Sequence, residues 1–268
     1  MRILRNVFLF FFVLAVLLVG VGYSVLKAQA TQTGAAVTGR NLISETRPLS
    51  AAVLNIDLRG AVDLTLRQGP VAGIVVYAEQ RMLPKITTET DGATLRIDTR
   101  GLIIGNHGPM MITVTLPTLE NVAVSGSGDA NVEGFSGNAA ALTMAGSGDV
   151  LFNGQFKKIV AQLAGSGDLH LAASNSEQVE IRLLGSGNVD AVGQCQTVQA
   201  TLAGSGDLDA GRLQAEQVTL ALAGSGNGTV FARKLVTISL NGSGDVDVRG
   251  APARREVHKS GSGDVRFE

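Results

Sequence analysis

Eight copies of a Gly-Ser-Gly-Asp or Gly-Ser-Gly-Asn tetrad stand in the C-terminal half of the 268-residue sequence and hold most of its candidates for chemistry. Their first glycines are Gly126, Gly146, Gly165, Gly185, Gly204, Gly224, Gly242 and Gly261, and their fourth positions are Asp129, Asp149, Asp168, Asn188, Asp207, Asn227, Asp245 and Asp264. A phosphate cradle would need a strand-loop-helix context and usually a lysine, and neither is present. Calcium binding of the kind seen in the nonapeptide repeats of secreted toxins needs Gly-Gly-x-Gly-x-Asp at about half this period. An adhesive surface along the repeat face is a third reading. The fourth is a corner turn, which accounts for the pattern with neither metal nor cofactor. Glycine accepts φ > 0, serine can bond to neighbouring backbone, and Asp and Asn both tolerate turn conformations. Stacked about 5 Å apart, two carboxylates repel by roughly 0.8 kcal/mol in water. The acids therefore need cations or compensating hydrogen bonds. Asn188 and Asn227 remove a charge but keep an acceptor oxygen, so the expectation is hydrogen bonding and a calcium-independent fold.

Other catalytic patterns are missing. There is no nucleophile elbow, no His-Glu-x-x-His and no Cys/His cluster. Cys195 is the single cysteine, and His107, His170 and His258 are far apart. A lone cysteine in this context reads as a small core or near-core side chain. A solenoid that cleaves polysaccharide needs charged groups gathered on one face. Here Glu180, Arg182 and Glu256 fall on outward rows and look scattered, so no catalytic residue is expected. A net charge of −1 and a pI near 6.3 lack the basic footprint of a nucleic-acid binder.

The elements that position the tetrads follow from their spacing, which is 20, 19, 20, 19, 20, 18 and 19 residues. Self-similarity at this period marks a solenoid. Two residues before the tetrads stand Val124, Met144, Leu163, Leu183, Leu202, Leu222 and Leu240. Four before stand Val122, Leu142, Ala161, Ile181, Ala200, Leu220, Ile238 and Val257, and six before stand Ala140, Ile159, Val179, Val198, Val218 and Val236. Intervening positions are mostly small or polar, so one face is buried and the other solvated. A second alternating run follows each tetrad, as in Val150 and Phe152 or Leu169 and Leu171. Each repeat therefore reads as two strands and two turns, stacked as parallel sheet at ~4.8 Å per coil. In the last repeat, Arg255 and Lys259 occupy core rows, which suggests a polar end cap.

Residues 47–120 read as a strand-rich lead-in to the repeats of 121–268. Its runs have period two, and Asp91-Gly92 is a hairpin signal. Residues 1–30 carry Arg2 and Arg5, an uncharged stretch from Val7 to Leu26, and Ala28-Gln29-Ala30. That is the pattern of a secretory signal cleaved after Ala30; the competing reading is a retained anchor, since 20 uncharged residues can span a bilayer. Either reading exports the rest of the chain. Residues 31–46, small and polar, read as a linker.

The tetrads at this period, the lead-in strands and the Leu116-Pro117-Thr118-Leu119-Glu120-Asn121 entry resemble the bacterial head GIN domain family of auto-transporter adhesins, from about Pro48 to Glu268. The resemblance implies a right-handed parallel β-helix of pectin-lyase shape without the lyase residues, in which Gly-Ser-Gly turns the chain between sheets, and a role in adhesion. The repeats run to within a few residues of Glu268, so self-translocation is not expected. The expectation is an exported, non-enzymatic protein in the periplasm, secreted or at the cell surface. Its partner would be a glycan or protein ligand, with membrane contact only through an uncleaved N-terminal segment. Alternatives are a polysaccharide-binding or polysaccharide-cleaving protein and a purely structural periplasmic protein.

Overall fold

A computed structural model describes residues 42–101 and 108–268. The proposed signal or anchor over 1–30, linker residues 31–41 and His107 lie outside the described residues. The rest is almost entirely strand. The lead-in comprises β1 (Leu42–Arg47), β2 (Asn55–Gly60), β3 (Asp63–Gln68), β4 (Gly73–Glu79), β5 (Ile86–Asp91), β6 (Thr94–Thr99), β7 (Met111–Leu116) and β8 (Asn121–Gly126). The repeats comprise β9 (Ala130–Gly146), β10 (Val150–Gly165), β11 (Leu169–Gly185), β12 (Val189–Gly204), β13 (Leu208–Gly224), β14 (Gly228–Gly242), β15 (Val246–Arg249), β16 (Arg254–Gly261) and β17 (Val265–Phe267).

The repeats wind into a β-solenoid of about seven turns. Like pairs with like between coils. Leu163 is in register with Leu183, Leu183 with Leu202, Leu202 with Leu222, and Leu222 with Leu240. All five are at most 2% exposed, whereas Thr201, one residue before Leu202, faces solvent. Alternation thus does in three dimensions what it does in the sequence: the apolar half of each strand fills a thin aliphatic core between two sheets.

Each repeat was expected to break into two strands. In β9 to β14 the parallel ladder instead continues around the second corner as one bent strand of 15–17 residues. The bend is absorbed by register shifts, such as those at Asn153/Gly154 and Ala173/Ser176. An irregularity in the ladder lets a strand turn without losing its neighbour.

The linker reading needs correction at its end. Leu42 to Thr46 belong to β1, which pairs antiparallel with β4 and forms a sheet edge. The lead-in is also more than an approach to the solenoid. β2 and β3 form a coil of it, joined by Gly60-Ala61-Val62-Asp63, a degenerate tetrad whose Gly60 is in register with Gly126. That coil lies between β6–β7 on one side and β8–β9 on the other, all parallel. The sheet that follows the tetrads therefore runs β1, β4, β7, β3, β9 and onward, and the sheet that precedes them runs β5, β6, β2, β8, β9 and onward. The Asp91-Gly92 hairpin joins β5 to β6 as expected.

At the C-terminal end no further coil among the described residues covers the core rows, and Val257 is 40% exposed. Arg255 lies over the Phe267 ring at 4.3 Å from its centroid, and Lys259 Nζ donates to Asp264 at 2.9 Å. Long side chains here lay their stems over apolar surface and keep their charges in water.

Leu202→Ala should cost on the order of 2–5 kcal/mol, because it opens a cavity inside a stacked leucine column. Thr201→Ala should stay within about 0.5 kcal/mol, as surface changes do. Urea unfolding midpoints of the two variants check the facing directly: equal shifts contradict it.

Candidate functional site: the corner ladder and the face beside it

Each tetrad residue has a separate job at the corner. The first glycines have φ between +127° at Gly126 and +156° at Gly165, a region side-chain-bearing residues avoid. They also lack room: a Cβ on Gly146 would stand 2.0 Å from the Gly126 carbonyl oxygen. The third glycines are not conformationally special, but a Cβ on Gly148 would stand 2.1 Å from Gly128 O. Val62 holds this third position in the first coil, where no tetrad lies beneath. The serine N–H donates to the first-glycine carbonyl of the coil before, as Ser147 does to Gly126 at 2.9 Å. All eight tetrad serines are exposed.

The fourth position forms a side-chain-to-backbone ladder. The Asp129 N–H donates to Asp63 Oδ1 at 3.2 Å, Asp149 N–H to Asp129 at 2.9 Å and Asp168 N–H to Asp149 at 2.9 Å. It continues through Asn188, Asp207, Asn227 and Asp245 to the Asp264 N–H, which donates to Asp245 Oδ1 at 2.8 Å. Asn188 and Asn227 add a second bond, each donating Nδ2–H to the acid of the coil before, at 3.0 and 3.2 Å. An acceptor at this reach is what Asp and Asn share and what the column requires. The Asp264 N–H, followed by the Arg266 guanidinium, holds the Asp245 carboxyl below the ordinary aspartate range.

The sequence missed two features of this site. Asp63 begins the column, and its only local signal is the glycine three residues before it. The outward row next to the column also gathers further acids. Asn131, Leu151, His170, Asp190, Asp209, Thr229, Asp247 and Arg266 are successive partners across the strands. The reading that outward charges are scattered is therefore corrected on this face, although among the described residues Glu180 and Arg182 pair only with each other, at 2.6 Å. The carboxylates differ along the stripe. Arg212 grips Asp190 with bonds of 2.9 and 2.8 Å, and Arg266 reaches Asp245 at 2.9 Å. No cation pairs with Asp63, Asp129 or Asp149 among the described residues. These three line an open groove of about 310 Å³ with Thr65, Asn131, Leu151 and His170. The His170 Nδ1 lies 3.7 Å from Asp190 Oδ2.

Among the described residues, no group of three or more His, Cys, Asp or Glu is placed to hold a metal ion. Cys195 is buried at the second corner, and burial pushes its thiol up to about 12, far from the reactive thiolate. His258 is exposed on β16.

These features define a stacked-repeat β-solenoid whose polar groups lie in register along one corner and the face beside it. The chain belongs to the family described as "Putative auto-transporter adhesin, head GIN domain", which matches residues 54–252. It is similar in fold to a solved "putative adhesin" from Parabacteroides distasonis, with 19% identity and a TM-score of 0.79 over 85% of this chain and 98% of that one. A "putative adhesin" from Parabacteroides merdae gives 16% identity and a TM-score of 0.77 over 86% and 97%. A "Putative lipid binding protein" from Parabacteroides distasonis gives 24% and 0.76 over 85% and 97%. No curated protein matches the chain.

Two expectations follow from the ladder. Because hydrogen bonds already occupy the column, the thermal midpoint should be the same in excess chelator and in millimolar calcium. A large calcium-dependent rise, lost when Asp149, Asp168 and Asp207 are changed to Asn, contradicts this. The second concerns acid. A folded-state pKa below the unfolded value, near ~3.9, gives stability that is complete above that value and is lost as pH falls through the folded one. Asp245→Asn keeps the acceptor and has no proton to gain. Its unfolding midpoint should fall less than that of the parent chain below about pH 4.

Proposed function

We propose that this chain is an exported, non-enzymatic surface adhesin, and that its binding face is the post-tetrad sheet beside the Asp/Asn ladder. The observation that carries this reading is the open groove where, among the described residues, no cation pairs with Asp63, Asp129 or Asp149, beside Asn131, Thr65, His170 and Leu151. Each carboxylate is held by its backbone bond to the next coil, so a further oxygen on each is free to accept. An array of fixed acceptors with hydroxyl and imidazole groups beside it suits a ligand rich in hydroxyl donors. Leu151, 46% exposed, supplies an apolar contact among them. The ligand class these groups fit is a surface glycan lying across the coils. Rigidity helps, since a pre-formed face loses little conformational freedom on binding. Family membership supports the adhesive role, and the charged n-region and apolar stretch before Lys27 support export.

The gathering of acids on one face also favours a second reading, a polysaccharide-cleaving protein. One experiment addresses both. The full chain is screened against arrayed glycans, matrix proteins and lipid vesicles, and the best glycan is titrated against His170→Ala and Leu151→Arg. Neither residue belongs to the ladder, so both variants should melt with the parent. Each should weaken glycan binding about tenfold or more. Unchanged affinity in both variants contradicts the assigned face, and progressive shortening of the bound polysaccharide favours the cleaving enzyme.

A further inference from the structure

The second corner of the solenoid has a gap beside β9. Over most of the repeat, the corner of each coil rests on the corner before it. Gly154 pairs with Phe135, Gln155 with Ser136, Phe156 with Gly137 and Lys158 with Ala139. On the opposite edge of β9 the support stops. β3 accompanies Ala130 to Glu133, and β8 accompanies Ala141 to Gly146. Residues 134–140 have no strand beside them on that edge among the described residues. Topology explains it. β3 ends at Gln68 and leaves for β4, so the β2–β3 coil never makes a second corner. β7 reaches β8 through residues 117–120, which climb past that level, with Gln68 Nε2 donating to Pro117 O at 3.0 Å. Between the two segments lies an open cavity of about 550 Å³, lined among others by Thr118, Leu119, Glu120, Ser136, Asn138 and Lys158.

The free edge has the features of a docking strand. The Ala141 N–H donates to Glu120 O at 2.8 Å, so the alternation of a parallel ladder points the Ala139 N–H and C=O into the same slot. Ser136, Gly137, Asn138 and Ala139 are exposed and small, so a second backbone can approach closely. The edge also lacks the usual protection. Proteins blunt free edges with charge or proline. β16, the edge strand at the C-terminal end, carries Arg254, Arg255, Glu256 and Lys259, whereas residues 134–140 carry no charge and no proline.

We propose that this slot takes an extended peptide segment of a partner protein, up to the length of residues 134–140, which adds to β9 as the missing corner strand. Main-chain hydrogen bonds would supply the affinity, as in other strand additions. The site is separate from the groove on the post-tetrad face, so either assignment can fail alone.

The test is hydrogen–deuterium exchange on the full chain. The probe is a capped heptapeptide with the sequence of residues 134–140, because a copy of a corner is what lies beneath the other corners. At saturation it should slow exchange of the amides in 136–140 at least tenfold. The same peptide N-methylated at alternate residues, which cannot pair, should have no effect. Ala139→Pro removes an N–H that the alternation of the ladder points into the slot and away from β10, so it should leave the thermal midpoint in place and abolish the protection. Should that variant not fold, Ser136→Arg, which fills the slot and keeps the backbone intact, carries the same expectation. The proposal is overturned if the peptide gives no protection, if the N-methylated peptide protects equally, if the blocking variant still binds, or if an arrayed glycan protects these amides instead.

Discussion

The structure depends on the close stacking of backbone on backbone at the tetrad corner. A single Cβ on a first or third glycine would sit about 2 Å from a carbonyl oxygen of the neighbouring coil, as at Gly146 and Gly148. No rotamer change relieves that, because the opposing atom is main chain. The coils can keep the inter-strand spacing of a parallel sheet around the bend only if both columns are free of side chains. With that spacing held, the serine and fourth-position amides find acceptors one coil away, and the leucine column closes behind them. A solenoid adds its coils through nearest-neighbour interfaces, so one poor corner weakens two interfaces at once.

The same spacing brings a column of like charges together. The structure answers repulsion with directed acceptance, since each carboxylate from Asp63 to Asp245 receives an N–H from the next coil, Asp264 receives Lys259 Nζ, and two of the column members are neutral amides. Hydrogen bonds to the ionised form favour it, as at Asp245, whose carboxyl the Asp264 N–H holds below the ordinary aspartate range. Arg212, Lys259 and Arg266 neutralise the stripe in its middle and at its C-terminal end. At the N-terminal end, among the described residues, the carboxylates of Asp63, Asp129 and Asp149 have no cation and lie beside a groove. The asymmetry sets one stretch of an otherwise repetitive surface apart from the rest.

The two ends of the fold are also treated differently. The C-terminal coil is closed by long charged side chains, with Arg255 over Phe267 and Lys259 on Asp264. At the N-terminal side the chain reorders itself, placing β2–β3 between coils that follow it in sequence. That insertion supplies the solenoid with a first coil and costs it a corner, which is the origin of the slot beside residues 134–140.

Local spacing alone determined much of this protein. The 18–20-residue period, the alternation before and after each tetrad, and the glycine pairs specify a stacked solenoid, its buried rows and its main corner. They can do so because facing in a strand has period two and a repeat copies its own environment. The polar end cap was legible for the same reason, through Arg255 and Lys259 in rows that elsewhere hold Val and Leu. Tertiary structure alone decided what depends on neighbours far apart in the chain. Asp63 meets Asp129 across 66 residues, and nothing local distinguishes Gly60-Ala61-Val62-Asp63 from an ordinary turn. Asp190, Asp209 and Asp247 become one stripe only when the coils are in register. The candidate groove and the open corner likewise arise from which strand edges remained free when the lead-in strands paired, and such long-range pairing leaves no periodic mark on the residues that make it.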